Sequence, residues 1–89
     1  MSKVFLEVSY RDGKPFAAYL RLPHPGTTQV ATTRELGPGL VADFDAAGQP
    51  LGLEIVHPLV TTVAEIQRAL AEIHMPPVPE AELAPLRAA

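Results

Sequence analysis

The sequence predicts an α+β domain: an antiparallel β-meander of about five short strands with one C-terminal helix packed on one face. Three observations predict it. Apolar and polar residues alternate in short runs separated by Gly, Pro and Asp, which is the signature of half-buried strands. A capping-box sequence, Thr62-Val63-Ala64-Glu65, precedes an apolar stripe at helical spacing. The chain has 89 residues, 47% of them hydrophobic and 19% charged, which suits one small core and opposes charge-driven disorder.

Residues 4–10 (VFLEVSY) point Val4, Leu6, Val8 and Tyr10 to one face and Phe5, Glu7 and Ser9 to the other. Asp12-Gly13 signals a turn. Residues 16–22 (FAAYLRL) alternate again, with Phe16, Ala18, Leu20 and Leu22 on one face. Parity then selects the loop. A two-residue turn would put the two apolar sets on opposite faces. A three-residue loop, Arg11 to Gly13, pairs Tyr10 with Lys14, Val8 with Phe16 and Leu6 with Ala18, and the sets coincide.

Pro23-His24-Pro25-Gly26 is a loop, because prolines remove ladder hydrogen bonds. Residues 27–36 (TTQVATTREL) are rich in Thr and Val and predict a third strand with poorly distinguished faces. Gly37-Pro38-Gly39 makes a tight corner. Residues 40–45 and 51–57 predict a hairpin around Ala46-Ala47-Gly48-Gln49, pairing Phe44 with Leu51, Ala42 with Leu53 and Leu40 with Ile55 on one face. Behind the capping box, Val63, Ile66, Leu70 and Ile73 form one helical stripe. His74 suits the negative end of that helix, and Pro76-Pro77 ends it. The chain divides into a single α+β domain, residues 1–75, and a Pro-rich tail, residues 76–89. The tail reads as a linker or loosely docked arm in which Glu80 to Leu86 can form one or two helical turns.

Composition excludes several classes of function. There is no cysteine, hence no disulfide or cysteine-ligated metal scaffold. No run approaches the roughly 20 apolar residues of a membrane span. Seven Lys+Arg against ten Asp+Glu give a formal charge of −3, which opposes nucleic-acid binding through phosphate contacts. Glu7 interrupts any signal-peptide apolar run and no small-residue cleavage site follows, so the expected compartment is the cytoplasm.

The motifs with chemical potential are few. Asp43-x-Asp45-x-Ala47-Gly48-x5-Glu54 matches part of a calcium-loop pattern. Ala47 lacks a side-chain oxygen at the fifth position, Pro50 occupies the eighth, and no helix precedes the run. A hairpin turn with acidic edges is the plainer reading. Asp43, Asp45 and Glu54 therefore stand as weak metal candidates, with no metal or cofactor expected. His24, His57 and His74 show no ligand spacing, and His57 falls on the apolar face at a strand end. Neither serine has the flanking glycines of a nucleophile elbow. No catalytic residue is nominated.

The face away from the helix is different. Phe5, Tyr19, Val41 and Val56 lie there among Glu7, Arg21, Asp43 and Glu54. Apolar residues rimmed by charge are what a partner surface looks like.

Tyr19, Thr33-Arg34-Glu35, Gly39, Asp43-Phe44-Asp45, Gly48 and Gly52-Leu53-Glu54-Ile55 follow in an order that resembles domain-of-unknown-function family 2283. The likeness covers about residues 8 to 58. The chain departs from the pattern at Arg11-Asp12-Gly13-Lys14-Pro15, where acidic residues are usual, and in its helix and Pro-rich tail. The resemblance implies a small, stand-alone, mostly bacterial sheet domain and no established activity. The expected role is a non-enzymatic interaction domain, homodimeric through the uncovered face or an edge strand. The alternatives are an antitoxin-like or adaptor partner of a small basic protein, acting through the tail, and a metal- or small-molecule-binding domain using the acidic hairpin.

Overall fold

The computed structural model describes residues 4–24 and 29–87. β1 (Phe5–Arg11), β2 (Lys14–Arg21), β3 (Thr32–Glu35), β4 (Leu40–Phe44) and β5 (Pro50–Ile55) form one antiparallel sheet in the order β1-β2-β5-β4-β3. α1 (Val63–Glu72) and a 3-10 helix (Glu80–Arg87) follow. The fold is therefore α+β, but the strands do not run as a simple meander. After β2 the chain passes to the far edge and returns through β3, β4 and β5. The physical reason lies in the residues. β5 carries Leu51, Leu53 and Ile55, all buried, and β2 carries buried Ala18 and Leu20. Pairing these two strands at the centre leaves the polar Thr32–Glu35, exposed along its whole length, at an edge where water satisfies it. β3 is accordingly shorter than the predicted 27–36; the expected residues 27 and 28 lie outside the described segment.

The first hairpin corrects the predicted register. Asp12 and Gly13 both have positive φ, 53° and 77°, so the turn has two residues. Parity is restored by a bulge instead: Ser9 pairs with Ala17 and Tyr10 with Pro15, leaving Phe16 as the extra residue in β2. Leu6 then faces Leu20 and Val8 faces Ala18. The bulge turns Phe16 outward, 45% exposed, with the Arg11 guanidinium 4.3 Å from its ring centroid. Tyr10, also expected inside, is 52% exposed.

The second hairpin keeps Leu40 opposite Ile55 and Ala42 opposite Leu53, as predicted. A bulge near its turn sets Phe44 opposite Pro50 rather than Leu51. The strand ends at Ile55, so His57 lies beyond it and is exposed.

α1 begins as its capping box dictates. The Thr62 side chain accepts from the Glu65 N–H at 3.1 Å, and Glu65 accepts from the Thr62 N–H at 2.8 Å. At its end, the His74 N–H reaches the Ala71 carbonyl at 3.0 Å and the Met75 N–H reaches the Leu70 carbonyl at 2.9 Å. This is a Schellman motif with His74 left-handed at φ 63°, a position usually given to glycine.

Ile66, Ala69, Leu70 and Ile73 belong to one buried cluster with Ala18, Leu20, Leu22, Leu40, Ala42, Leu53 and Ile55. Val78, Leu83 and Leu86 belong to the same cluster. The described part of the Pro-rich segment is thus built into the core, not loosely docked. Gln67 fastens it: its side-chain amide donates to the Val78 carbonyl at 2.6 Å and accepts from the Val78 N–H at 3.0 Å. One amide side chain mimics a strand partner and satisfies a proline-flanked backbone that has no ladder. Among the described residues, no helix is long and apolar enough to cross a membrane.

Candidate functional site

Strand pairing arranges the outer face, opposite the buried cluster, in rows. Glu7 pairs with Tyr19, Tyr19 with Glu54, Glu54 with Val41 and Val41 with Glu35. One row therefore reads Glu7, Tyr19, Glu54, Val41, Glu35 across all five strands. The next reads Phe5, Arg21, Gly52, Asp43, Thr33.

Gly52 links the two rows. A Cβ built on it would fall on the Tyr19 hydroxyl and the adjacent ring carbons. Only glycine lets the phenol of Tyr19 lean from its own row across β5. The hydroxyl then donates to Asp43 Oδ2 on β4 at 2.9 Å. Burial, followed by the Asp43 hydrogen bond and its negative charge, pushes the Tyr19 phenol up to about 12. Tyr19 is consequently a fixed neutral donor at neutral pH, and Asp43 its acceptor.

Beside it, Arg21 Nη2 donates to the two Glu7 oxygens at 3.1 and 3.3 Å. The same guanidinium lies 5.6 Å from the Tyr19 ring centroid. Both charges are exposed, so the pair contributes little stability. It does neutralise one end of the row.

The four nominated partner residues are spread, not gathered. Phe5 is 61% exposed on edge strand β1. Tyr19 and Val41 share a row with Glu54 between them. Val56 follows the end of β5, where its N–H donates to the Gly39 carbonyl at 2.9 Å. Phe5 and Val41 are three strands apart, on the order of 14 Å at the usual strand spacing.

The nominated carboxylates have three different settings. Asp43 faces Tyr19. Asp45 Oδ1 accepts from the Ala47 and Gln49 N–H groups, both at 2.9 Å, which holds the β4–β5 turn. Its Oδ2 lies 2.7 Å from His24 Nε2. The Gln49 N–H, joined by His24 and Ala47, holds the Asp45 carboxyl below its usual range against the opposing effect of burial. Glu54 is exposed. Among the described residues, no three His, Asp or Glu side chains come together as a metal ligand set.

Two features were not read from the sequence. His24 carries no local sign that it meets Asp45, 21 residues later. Their side chains are largely buried together, and among the described residues His24 Nδ1 has no hydrogen-bond partner. The close approach of Tyr19 to Gly52 did have a sign, a glycine inside an otherwise apolar strand. Beside the β4–β5 turn, a cleft of about 410 Å³ is lined by Gln29, Val30, Ala31, Asp45, Ala46 and Ala47. The Asp45 carboxylate is directed to its own turn and to His24.

Residues 17–57 match the family model described as protein of unknown function, DUF2283, so the likeness read from the motifs is shown over that segment. It contains Tyr19, Asp43, Gly52 and Glu54, the residues of the Tyr19–Asp43 arrangement and its row. Comparison with curated proteins and with solved structures found no match.

Proposed function

We propose that this protein is a small non-enzymatic interaction domain whose contact surface is the outer face of the sheet. The observation that carries this reading is the construction of that face. A side-chain arrangement is held rigid there, at the expense of a strand side chain at Gly52, although the core lies on the other side. Rigid aromatic groups set among polar residues lose little entropy when a partner covers them.

The tail does not serve as a free arm in this reading, since Val78, Leu83 and Leu86 are buried. The acidic hairpin is also a poor ligand site, since Asp43 and Asp45 already accept hydrogen bonds. What remains is association through the face, with a second copy or with another protein.

The test compares the wild-type chain with Val41→Lys, which changes the position between Glu54 and Glu35 and leaves the core alone. Both would be tagged, expressed in the native host and checked for folding by circular dichroism. A stoichiometric partner, or a dimeric mass in sedimentation, that is present for wild type and lost in Val41→Lys supports the face. Association unchanged by the substitution, or no association of the wild type at all, would overturn it.

A further inference from the structure

We infer that β1 pairs edge to edge with β1 of a second copy of this chain, antiparallel about a two-fold axis at Val8, so that the two five-stranded sheets become one. This goes beyond the reading of the outer face. It assigns the second copy to the sheet edge and leaves the face to another protein.

The two edges of the sheet are built differently. β3 is four residues long, exposed throughout, and sets Arg34 opposite the buried Ala42, on the inner side. A short edge strand with an inward charge is one way that natural sheets prevent further pairing. β1 is seven residues long, contains no proline and has only the uncharged Leu6, Val8 and Tyr10 on its inner side. Its two charges are engaged within the chain, Glu7 by Arg21 and Arg11 by the Phe16 ring. No described segment pairs with its free edge.

The inner rows end differently too. One reads Arg34, Ala42, Leu53, Leu20, Leu6, and the next reads Leu40, Ile55, Ala18, Val8. Between the edges every member is buried. Leu6 and Val8 pack against the same cluster but are only half-buried, and Tyr10 is 52% exposed. The apolar interior ends on a cation at β3 and is left open at β1.

Backbone direction and register fit a second copy. In a two-residue hairpin the pair that closes the turn exchanges its backbone hydrogen bonds, and here that pair is Arg11 with Lys14. Alternation then points the N–H and C=O groups of Tyr10, Val8 and Leu6 away from β2. Tyr10 accordingly faces Pro15, which has no N–H to give. An axis at Val8, the middle residue of β1, sets Val8 on Val8, Leu6 on Tyr10, Glu7 on Ser9 and Phe5 on Arg11 of the copy. The Val8 and Leu6–Tyr10 pairs are those whose outward groups can exchange hydrogen bonds. No like charges are opposed, and the apolar row runs on from Val8 into the same row of the copy. Moving the axis by one residue either opposes Glu7 to itself or carries Leu6 past the end of the strand. The pairing uses the open edge of both copies, so association closes at two.

Sedimentation equilibrium of the full chain is expected to give twice the 9.5 kDa monomer mass. Val8→Pro removes the central N–H from each copy, at a position where an edge strand accepts proline. It should weaken dimerisation roughly thirtyfold, the loss of two ladder hydrogen bonds, with the fold retained by circular dichroism. The chain has no cysteine, so single cysteines report the register. Val8→Cys should form a disulfide-linked dimer under mild oxidation, because the paired Cα atoms lie about 5.5 Å apart. Tyr10→Cys should not, because the two Tyr10 positions are about 14 Å apart along the strands. The cysteine comparison decides by itself if Val8→Pro does not fold. A monomeric mass throughout, a mass that grows past two chains, a dimer indifferent to Val8→Pro, or equal cross-linking through the two cysteines would each overturn the inference. A dimer lost in Val41→Lys and kept in Val8→Pro would put the second copy on the face and overturn it as well. A dimer kept in Val41→Lys and lost in Val8→Pro supports the edge, and the face is then judged by the other protein it captures.

Discussion

On the inner face of the sheet, Leu20, Leu53 and Ile55 are fully buried and belong to one cluster with Ile66 and Leu70. On the outer face the same strands hold Tyr19, Arg21, Glu54 and Asp43, arranged by hydrogen bonds and one missing side chain. β2 supplies both sets from alternate positions. The inner face resists any change of volume, because a packed interior has no room to adapt. The outer face tolerates volume almost everywhere and resists it at one position, Gly52. The buried cluster and the proposed contact surface therefore lie on opposite faces of one sheet.

The largest expected effect tests how far the inner face extends. Ending the chain after Met75 removes Val78, Leu83 and Leu86, each worth roughly 1.5–3 kcal/mol of burial. Small domains have only about 5–15 kcal/mol in total. Such a chain is expected to lose cooperative unfolding in a thermal melt followed by circular dichroism. A sharp transition near the wild-type temperature would show that the segment is dispensable.

Leu53→Ala should cost about 2–5 kcal/mol in urea unfolding, as a fully buried leucine does. Glu54→Ala, the neighbouring residue on the other face, should stay within about 0.5 kcal/mol. Equal costs would erase the contrast between the faces.

Gly52→Ala should cost about 2 kcal/mol, since the Tyr19 side chain must swing away and leave Asp43. Because Tyr19 is what the new methyl meets, Gly52→Ala should add little once Tyr19→Ala is present. Strict additivity in the double-mutant cycle would mean the clash lies elsewhere.

The Tyr19 phenol gives a pH readout of the same arrangement. Its folded-state pKa is near 12, above the ordinary value of 10.0, so the folded chain holds a proton that the unfolded chain releases. The contribution to stability is fully present below pH 10 and is lost as pH rises through 12. In Tyr10→Phe, which leaves Tyr19 as the one tyrosine, ultraviolet titration should show a midpoint near 12. A midpoint near 10 would mean that neither the burial of the phenol nor its Asp43 contact persists in solution.

The smallest effect concerns the helix end. His74→Gly should stabilise the domain by about 0.5–1 kcal/mol, because glycine adopts the left-handed position without strain. No gain would show that the imidazole makes up for its backbone conformation.

Much of this was legible locally. The capping box fixed the start of α1, since both partners lie within four residues. The inward set of β4 and β5 followed from alternation, and so did the positions of Tyr19, Val41 and Glu54 on the outer face. Phe16 was misplaced because alternation cannot distinguish a longer loop from a bulge; both restore the same parity. The helical turns expected over Glu80 to Leu86 are present as the 3-10 helix, but the burial of Val78, Leu83 and Leu86 was hidden because proline suggests a linker.

By itself the sequence determined which residues alternate, where turns and caps fall, and that two faces of one sheet differ. Those properties depend on neighbours a few residues apart and on the fixed period of a strand. Only the tertiary structure decided that β5 pairs with β2, and that pairing joins the two hairpins into one outer face. It brings Tyr19 over Gly52 to Asp43 and aligns Glu7, Glu54 and Glu35 in one row. His24 reaches Asp45 by the same long-range assembly. Such contacts join residues more than twenty positions apart, and no local periodicity records them.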